Sequence, residues 1–174
     1  MYHRFGENKY PSTNIREEQL VSHLEYLKDQ GFNFILARDL LFEDKLQKKT
    51  ISITVDDAYL SFFEVGLPIF EKYEIPVTLF LNTENVGGQN YMNWTQLKSV
   101  LSRGVDIQNH THSHSSLSSL SEIEIVNEIE KSQDLIFENL GITPNLFAYP
   151  FGENSTIAQK VVSQYFDCLL YTSP

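Results

Sequence analysis

Short, fully apolar runs alternate with amphipathic stretches along most of the chain. The run 16–30 sets Leu20, Leu24 and Leu27 on one helical face, and Gly31 stands where that helix closes. "ISITV" (51–55) is β-branched and short, as a buried strand is. The residues from there to Tyr73 read as a loop and then a helix, which tolerates Pro68 only near its start. "VTLFLN" (77–82) and "VDIQN" (105–109) repeat the buried-strand pattern. Between them, Asn93 with Gln96 is a capping-box signature for a helix running to Arg103 and closed by Gly104. Ser121 with Glu124 opens another helix, on which Ile125, Ile129, Ile136 and Leu140 form an apolar stripe. "NLFAYP" (145–150) and "FDCLLY" (166–171) read as later strands, separated by a helix over 156–164.

Strands joined by helical crossovers predict an α/β fold, a parallel sheet covered by helices and either open or closed into a barrel. In both forms ligands collect at the carboxyl ends of the strands. Polar residues cluster there three times. "ISITV" runs into Asp56 and Asp57, "VDIQN" into His110, Thr111, His112, Ser113 and His114, and "NLFAY" into Pro150, Phe151 and Gly152.

Composition narrows what those clusters can serve. At 174 residues with 41% apolar content, the chain fits one domain with a real core. Its net charge of −10 opposes nucleic acid as a partner and favours a neutral small molecule or glycan. No apolar run reaches the roughly 18–20 residues of a membrane span. The single cysteine, Cys168, excludes an internal disulfide and any multi-cysteine metal site, and leaves the compartment open.

Three of the five histidines sit at alternate positions in "HTHSH". In a helical turn His110 and His114 point together and His112 points away, whereas in an extended strand all three share a face. Zinc accepts imidazole and carboxylate donors, and a catalytic site keeps three protein ligands with one open position. Two histidines with Asp57 meet that count and leave Asp56 alongside as a base.

"TVDDAY", "HTHSH" and "FAYPFG", in that order at strand ends, resemble the polysaccharide deacetylases (the NodB-homology domain, carbohydrate esterase family four). The resemblance runs from about Thr54 to Gly152. It implies a distorted, incomplete (β/α) barrel of about seven parallel strands, with a catalytic domain over 1–166. It also implies metal-dependent removal of N-acetyl groups from an N-acetylglucosamine-type glycan. Carried over by residue, Asp56 is the base, Asp57, His110 and His114 are metal ligands, and Thr111 braces their loop. His112 falls on a variable position, and the backbone N–H of Phe151 joins the oxyanion site. The expected cofactor is one divalent ion, zinc first by ligand type, with cobalt, nickel or iron(II) accepted by the same donors.

The resemblance is imperfect in three places. Ala148 stands where the family has an arginine supporting the base, which makes Asn145 and Tyr149 candidates for that support. Ala58 replaces a usual glycine. No histidine follows His114 to serve as the late general acid. A circularly permuted branch of the family, which includes poly-N-acetylglucosamine deacetylases, takes its acid from an N-terminal Y-H-R sequence, and "MYHRF" makes His3 that acid. His23 reads as solvated.

Tyr59, Tyr91, Trp94 and Tyr149 are candidates for contact with sugar rings. Residues 167–174, ending in "CLLYTSP", read as a separate tail resembling translated sequencing adapter. "MYHRFGENKY" lacks the regions of a signal peptide. An envelope location is therefore expected if a leader lies upstream, and a cytoplasmic one otherwise. Two other readings remain beside deacetylation: hydrolysis of another non-peptide C–N bond, as in cyclic amides such as allantoin, and carbohydrate binding without catalysis. Oligomeric state is left open.

Overall fold

The computed structural model describes residues 1–41 and 48–171. Eight strands are present among them. β1 (Arg4–Phe5) and β2 (Asn14–Ile15) form a parallel pair. β3 (Asn33–Ile35), β4 (Thr50–Asp56), β5 (Val77–Leu81), β6 (Asp106–Asn109), β7 (Leu146–Tyr149) and β8 (Cys168–Tyr171) form one curled, all-parallel sheet in sequential order. The helices are α1 (Glu17–Asp29), α2 (Leu67–Lys72), α3 (Trp94–Ser102), α4 (Glu122–Leu140) and α5 (Thr156–Val162). This is the incomplete parallel barrel that the family resemblance implies, with six strands in its sheet among the described residues where about seven are expected. Of the expected tail, Cys168–Tyr171 pair with β7 as β8, and residues 172–174 lie outside the described residues.

Helix ends follow their local chemistry. Asn93–Gln96 and Ser121–Glu124 form complete capping boxes on α3 and α4. α4 ends at Gly141, whose φ of 71° is the left-handed turn that glycine adopts without a Cβ penalty.

Strand parity sorts the sheet into two faces. Ile53, Val55, Val77, Leu79, Leu81 and Ile107 belong to a core shared with α1, α2 and α3. Phe147 and Tyr149 belong to a second core with α4 and α5. The opposite face carries Asp56, Thr78, Phe80, Asp106, Gln108 and Ala148, which is mostly polar.

At the β6–β7 seam the ladder is short, pairing Asn109 with Phe147. Gln108 compensates: its Oε1 accepts the N–H groups of Asn145 (3.0 Å) and Leu146 (2.8 Å).

The N-terminal segment is tied to β4 rather than left loose. Tyr2 N–H donates to Thr54 O, and Asp56 N–H donates to Tyr2 O, each at 2.9 Å. Tyr2 thus bridges Val55 along the edge that β3 vacates. Phe5 is buried, and its ring lies where a Cβ on Gly66 would come within 3.0 Å, so Gly66 makes room for the anchor. His3 is held between these two fixed points.

Candidate active site

Asp56 ends β4, and the chain then turns sharply through Asp57 (φ 74°) and Ala58 (φ 59°). The left-handed conformation costs a non-glycine residue on the order of 1–2 kcal/mol, a cost that the glycine expected at the Ala58 position would avoid. Thr111 (φ 70°), His114 (φ 60°) and Phe151 (φ 61°) adopt the same conformation, so strained backbone gathers at this end of the sheet. Local hydrogen bonds offset it. Thr111 N–H donates to Asn109 Oδ1 at 2.8 Å, and Thr111 Oγ1 accepts the N–H of His114 at 3.1 Å. Thr111 therefore braces the loop as expected. Glu128 of α4 closes it from behind, its carboxylate accepting the N–H groups of His112 (3.1 Å) and Ser113 (2.7 Å).

The turn geometry wins over the strand geometry. The nitrogen and oxygen donor atoms of Asp57, His110 and His114 lie within 4.8 Å of one another. His112 faces away, its Nδ1 2.8 Å from Thr83 Oγ1. Asp57 Oδ1 is 3.2 Å from His114 Nε2 and 3.8 Å from His110 Nε2. Donors around a tetrahedral ion bound at about 2.1 Å lie about 3.4 Å apart, so these spacings fit a metal with little movement. His110 Nδ1–H donates to Ala148 O at 2.8 Å, which fixes the tautomer and frees Nε2 for coordination.

Burial and charge set the protonation that coordination needs. Burial drives the pKa of His110 down to about 4, keeping the imidazole neutral. Burial pushes Asp57 up, but the hydrogen bond with His114 and the nearby histidines outweigh it, and its carboxyl is held below the ordinary value. Both groups stand in their ligand form at neutral pH.

A cavity of about 210 Å³ opens over this group. Its walls bring together His3, Asp56, Asp57, Tyr59, His110, His114 and Phe151, with Met1 and Thr13 beside them. His3 thus arrives from the far end of the sequence, and burial holds its pKa below the usual histidine value. Phe151 stands at the mouth with its ring edge-on to His114 at 4.7 Å.

Two expected contacts are corrected. Tyr149 shares the parity of Phe147, so its ring is fully buried in the second core and offers no face to a sugar. Trp94 lies on the same helical face as Leu97 and Leu101 and packs on the first core, away from the cavity lining. Tyr59 does line the cavity, but the Arg4 guanidinium lies 3.4 Å over its ring and the Tyr91 ring lies 4.7 Å away. One face of the Tyr59 ring is thus taken by Arg4. Of the two candidates for the arginine's role, Asn145 donates to Asp167 Oδ2 at the opposite end of the strand, and the Tyr149 ring packs in the second core. His23 is exposed, with Nδ1 3.1 Å from the Tyr2 hydroxyl.

Two residues enter that the sequence pattern did not single out. Asn82 Nδ2 donates to Asp57 Oδ1 at 3.0 Å and is itself buried. As a polar residue closing "VTLFLN", it obeys the same strand-end rule as the others. Glu128 sits mid-helix, where no local pattern distinguishes it.

The polysaccharide deacetylase family model matches residues 43–165. The chain belongs to the polysaccharide deacetylase family. His3 and Arg4 lie outside the matched stretch.

A poly-β-1,6-N-acetyl-D-glucosamine N-deacetylase of Staphylococcus aureus is 28% identical over 156 residues, covering 80% of this chain and 54% of that one. YxkH of Bacillus subtilis is 24% identical over 156 residues, covering 87% of this chain and 55% of its own. The chain thus spans about half the length of the curated relatives it matches. IcaB from Ammonifex degensii superimposes with a TM-score of 0.88 at 23% identity, covering 97% of this chain and 80% of that one. The deacetylase PplD of Streptococcus pyogenes, solved with acetate, gives 0.85 at 24% identity, covering 95% and 78%. The likeness in fold therefore extends over the N-terminal segment as well as the matched region.

Proposed function

We propose that the protein is a metal-dependent N-deacetylase acting on a neutral acetamido-sugar oligomer or polymer of the N-acetylglucosamine type. The observation that carries this reading is one cavity holding an Asp–His–His donor set, a second carboxylate and a histidine from the N-terminal segment. Family membership and the S. aureus relative's named activity support the same chemistry.

Asp57, His110 and His114 would hold the ion, zinc by preference of the donors. When bound, it supplies Lewis-acid chemistry, polarising the acetyl carbonyl and making water more acidic. Asp56 takes the proton of the attacking water. The Phe151 N–H donates to the oxygen that gains charge as the carbonyl carbon becomes tetrahedral. His3 gives a proton to the departing nitrogen, because an amine anion is too poor a leaving group to depart without one. The products are acetate and a free amino sugar.

Intact donors and a carboxylate beside them argue against binding without catalysis, since a pure binder needs no base there. The test is acetate release from N-acetylglucosamine oligomers by the zinc-loaded protein. Asp56→Asn is expected to abolish it while zinc stoichiometry stays at the wild-type level. Undiminished turnover by that variant removes Asp56 as the base. Turnover of a small cyclic amide in place of the oligomer favours the second reading of the same site.

A further inference from the structure

The Arg4 side chain joins the N-terminal segment to the loop carrying Tyr10 and to the turn carrying Tyr59, a role that its place after His3 in the Y-H-R sequence does not by itself show. Its side chain is about nine-tenths buried. The guanidinium lies 3.4 Å over the Tyr59 ring and 4.4 Å over the Tyr10 ring, and its Nη1 is 3.1 Å from Glu7 Oε2. Tyr91 backs Tyr59 at 4.7 Å, and the Tyr91 hydroxyl donates to that of Tyr59 at 3.4 Å. The result is a stack of Tyr10, Arg4, Tyr59 and Tyr91. Tyr10 belongs to the loop that connects β1 to β2, whereas Tyr59 belongs to the turn that carries Asp57.

A buried charge is costly unless its surroundings compensate it, and here a carboxylate and two ring faces do so. Planarity matters: a guanidinium can lie flat between two rings while its edge reaches Glu7, and an ammonium cannot do both. Backbone bonds complete the tie. Arg4 N–H donates to Thr13 O at 3.0 Å, and Phe5 N–H donates to Ser61 Oγ at 3.2 Å. His3 directly precedes Arg4 and follows Tyr2, so its place depends on this clamp together with the Tyr2 backbone bonds to β4.

We propose that Arg4 is a positioning residue for the proton-donating side of the site. Clamped between Tyr10 and Tyr59, it holds the segment bearing His3 in register with the turn bearing Asp56 and Asp57. This role rests on the deacetylase reading and on His3 as the acid. During turnover water adds to the carbonyl carbon, forming the C–O bond and giving up a proton to Asp56, and the C–N bond then breaks as the nitrogen takes its proton from His3. A small displacement of the donor slows that transfer and leaves water attack on the carbonyl largely intact.

The experiment compares two substrates of the zinc-loaded full chain. An N-acetylglucosamine oligomer has a leaving nitrogen that must be protonated, whereas p-nitrophenyl acetate releases a phenolate that need not be. Arg4→Met is expected to lower kcat for the oligomer about 10- to 100-fold with KM little changed, and ester turnover by less than about threefold. Arg4→Lys, which keeps the charge and loses the planar fit, should fall between. Tyr10 is half-exposed, so Tyr10→Ala tests the clamp where Arg4→Met fails to fold, with a smaller loss in the same amide-to-ester ratio. Zinc stoichiometry and melting temperature are followed throughout. Equal losses on both substrates, or no loss on either, overturn the positioning role. A wild-type protein that cleaves the ester and releases no acetate from the oligomer overturns the deacetylase reading itself, and the role of Arg4 with it.

Discussion

Acidification of the metal-free protein should expose how His110 is held. In the folded chain its imidazole is 2% exposed and titrates near pH 4, against an ordinary value of 6.5. Between those values the unfolded chain binds a proton that the native chain does not. By linkage, native stability must therefore fall as pH falls through this window and recover as pH rises. A difference of about 2.5 units, at about 1.4 kcal/mol each, amounts to about 3 kcal/mol. Asp57 is held below its ordinary value, so its own contribution is lost only at still lower pH. The assay is urea unfolding followed by circular dichroism, in chelator, at several pH values from 7 to 4, for wild type and His110→Asn. Carboxylates that titrate in the same range act in both proteins and largely cancel in the difference. The stability difference between the two proteins should shift by about 3 kcal/mol against wild type on going to pH 4. A difference that stays flat to within about 0.5 kcal/mol would show that His110 is not held neutral by burial, and the account of a site preset for coordination would fail with it.

Two further outcomes follow from single contacts. Asn82→Ala removes the donor to Asp57 Oδ1 and should weaken zinc binding about 10- to 100-fold in competition with a chromogenic chelator, whereas an unchanged affinity would mean the contact does not orient the ligand. Gly141→Ala meets no atom within 4 Å, so only its φ of 71° is at stake, and urea unfolding should show a loss of about 1 kcal/mol with zinc affinity unaltered.

The elements that the pattern predicts best are those whose signals are local. Capping at Asn93 and Ser121 uses residues three apart, and both boxes are complete in the fold. Buried strands such as "VTLFL" advertise themselves because each residue meets apolar neighbours on one face or tight packing on the other. By contrast, Arg4–Phe5, Asn14–Ile15 and Asn33–Ile35 are too short to carry a period and exist through partners elsewhere in the chain. The aromatic assignments failed for a related reason. Composition marks Tyr149 and Trp94 as able to stack on a sugar, but which face of a strand or helix each occupies depends on register against the sheet.

The donors themselves were legible because chemistry confines them. Polar residues that end buried strands of a parallel sheet must emerge at one edge, so Asp56, Asp57, His110 and His114 are drawn together by topology already implicit in the alternation of elements. What local order along the chain cannot carry is how segments far apart meet. The arrival of His3 beside Asp57, the donation from Asn82, the cap from Glu128 and the clamp of Arg4 between two tyrosines each join segments that no periodicity relates. Their free energy comes from burial and hydrogen bonds that exist only once the sheet has curled and the N-terminal segment has docked along β4.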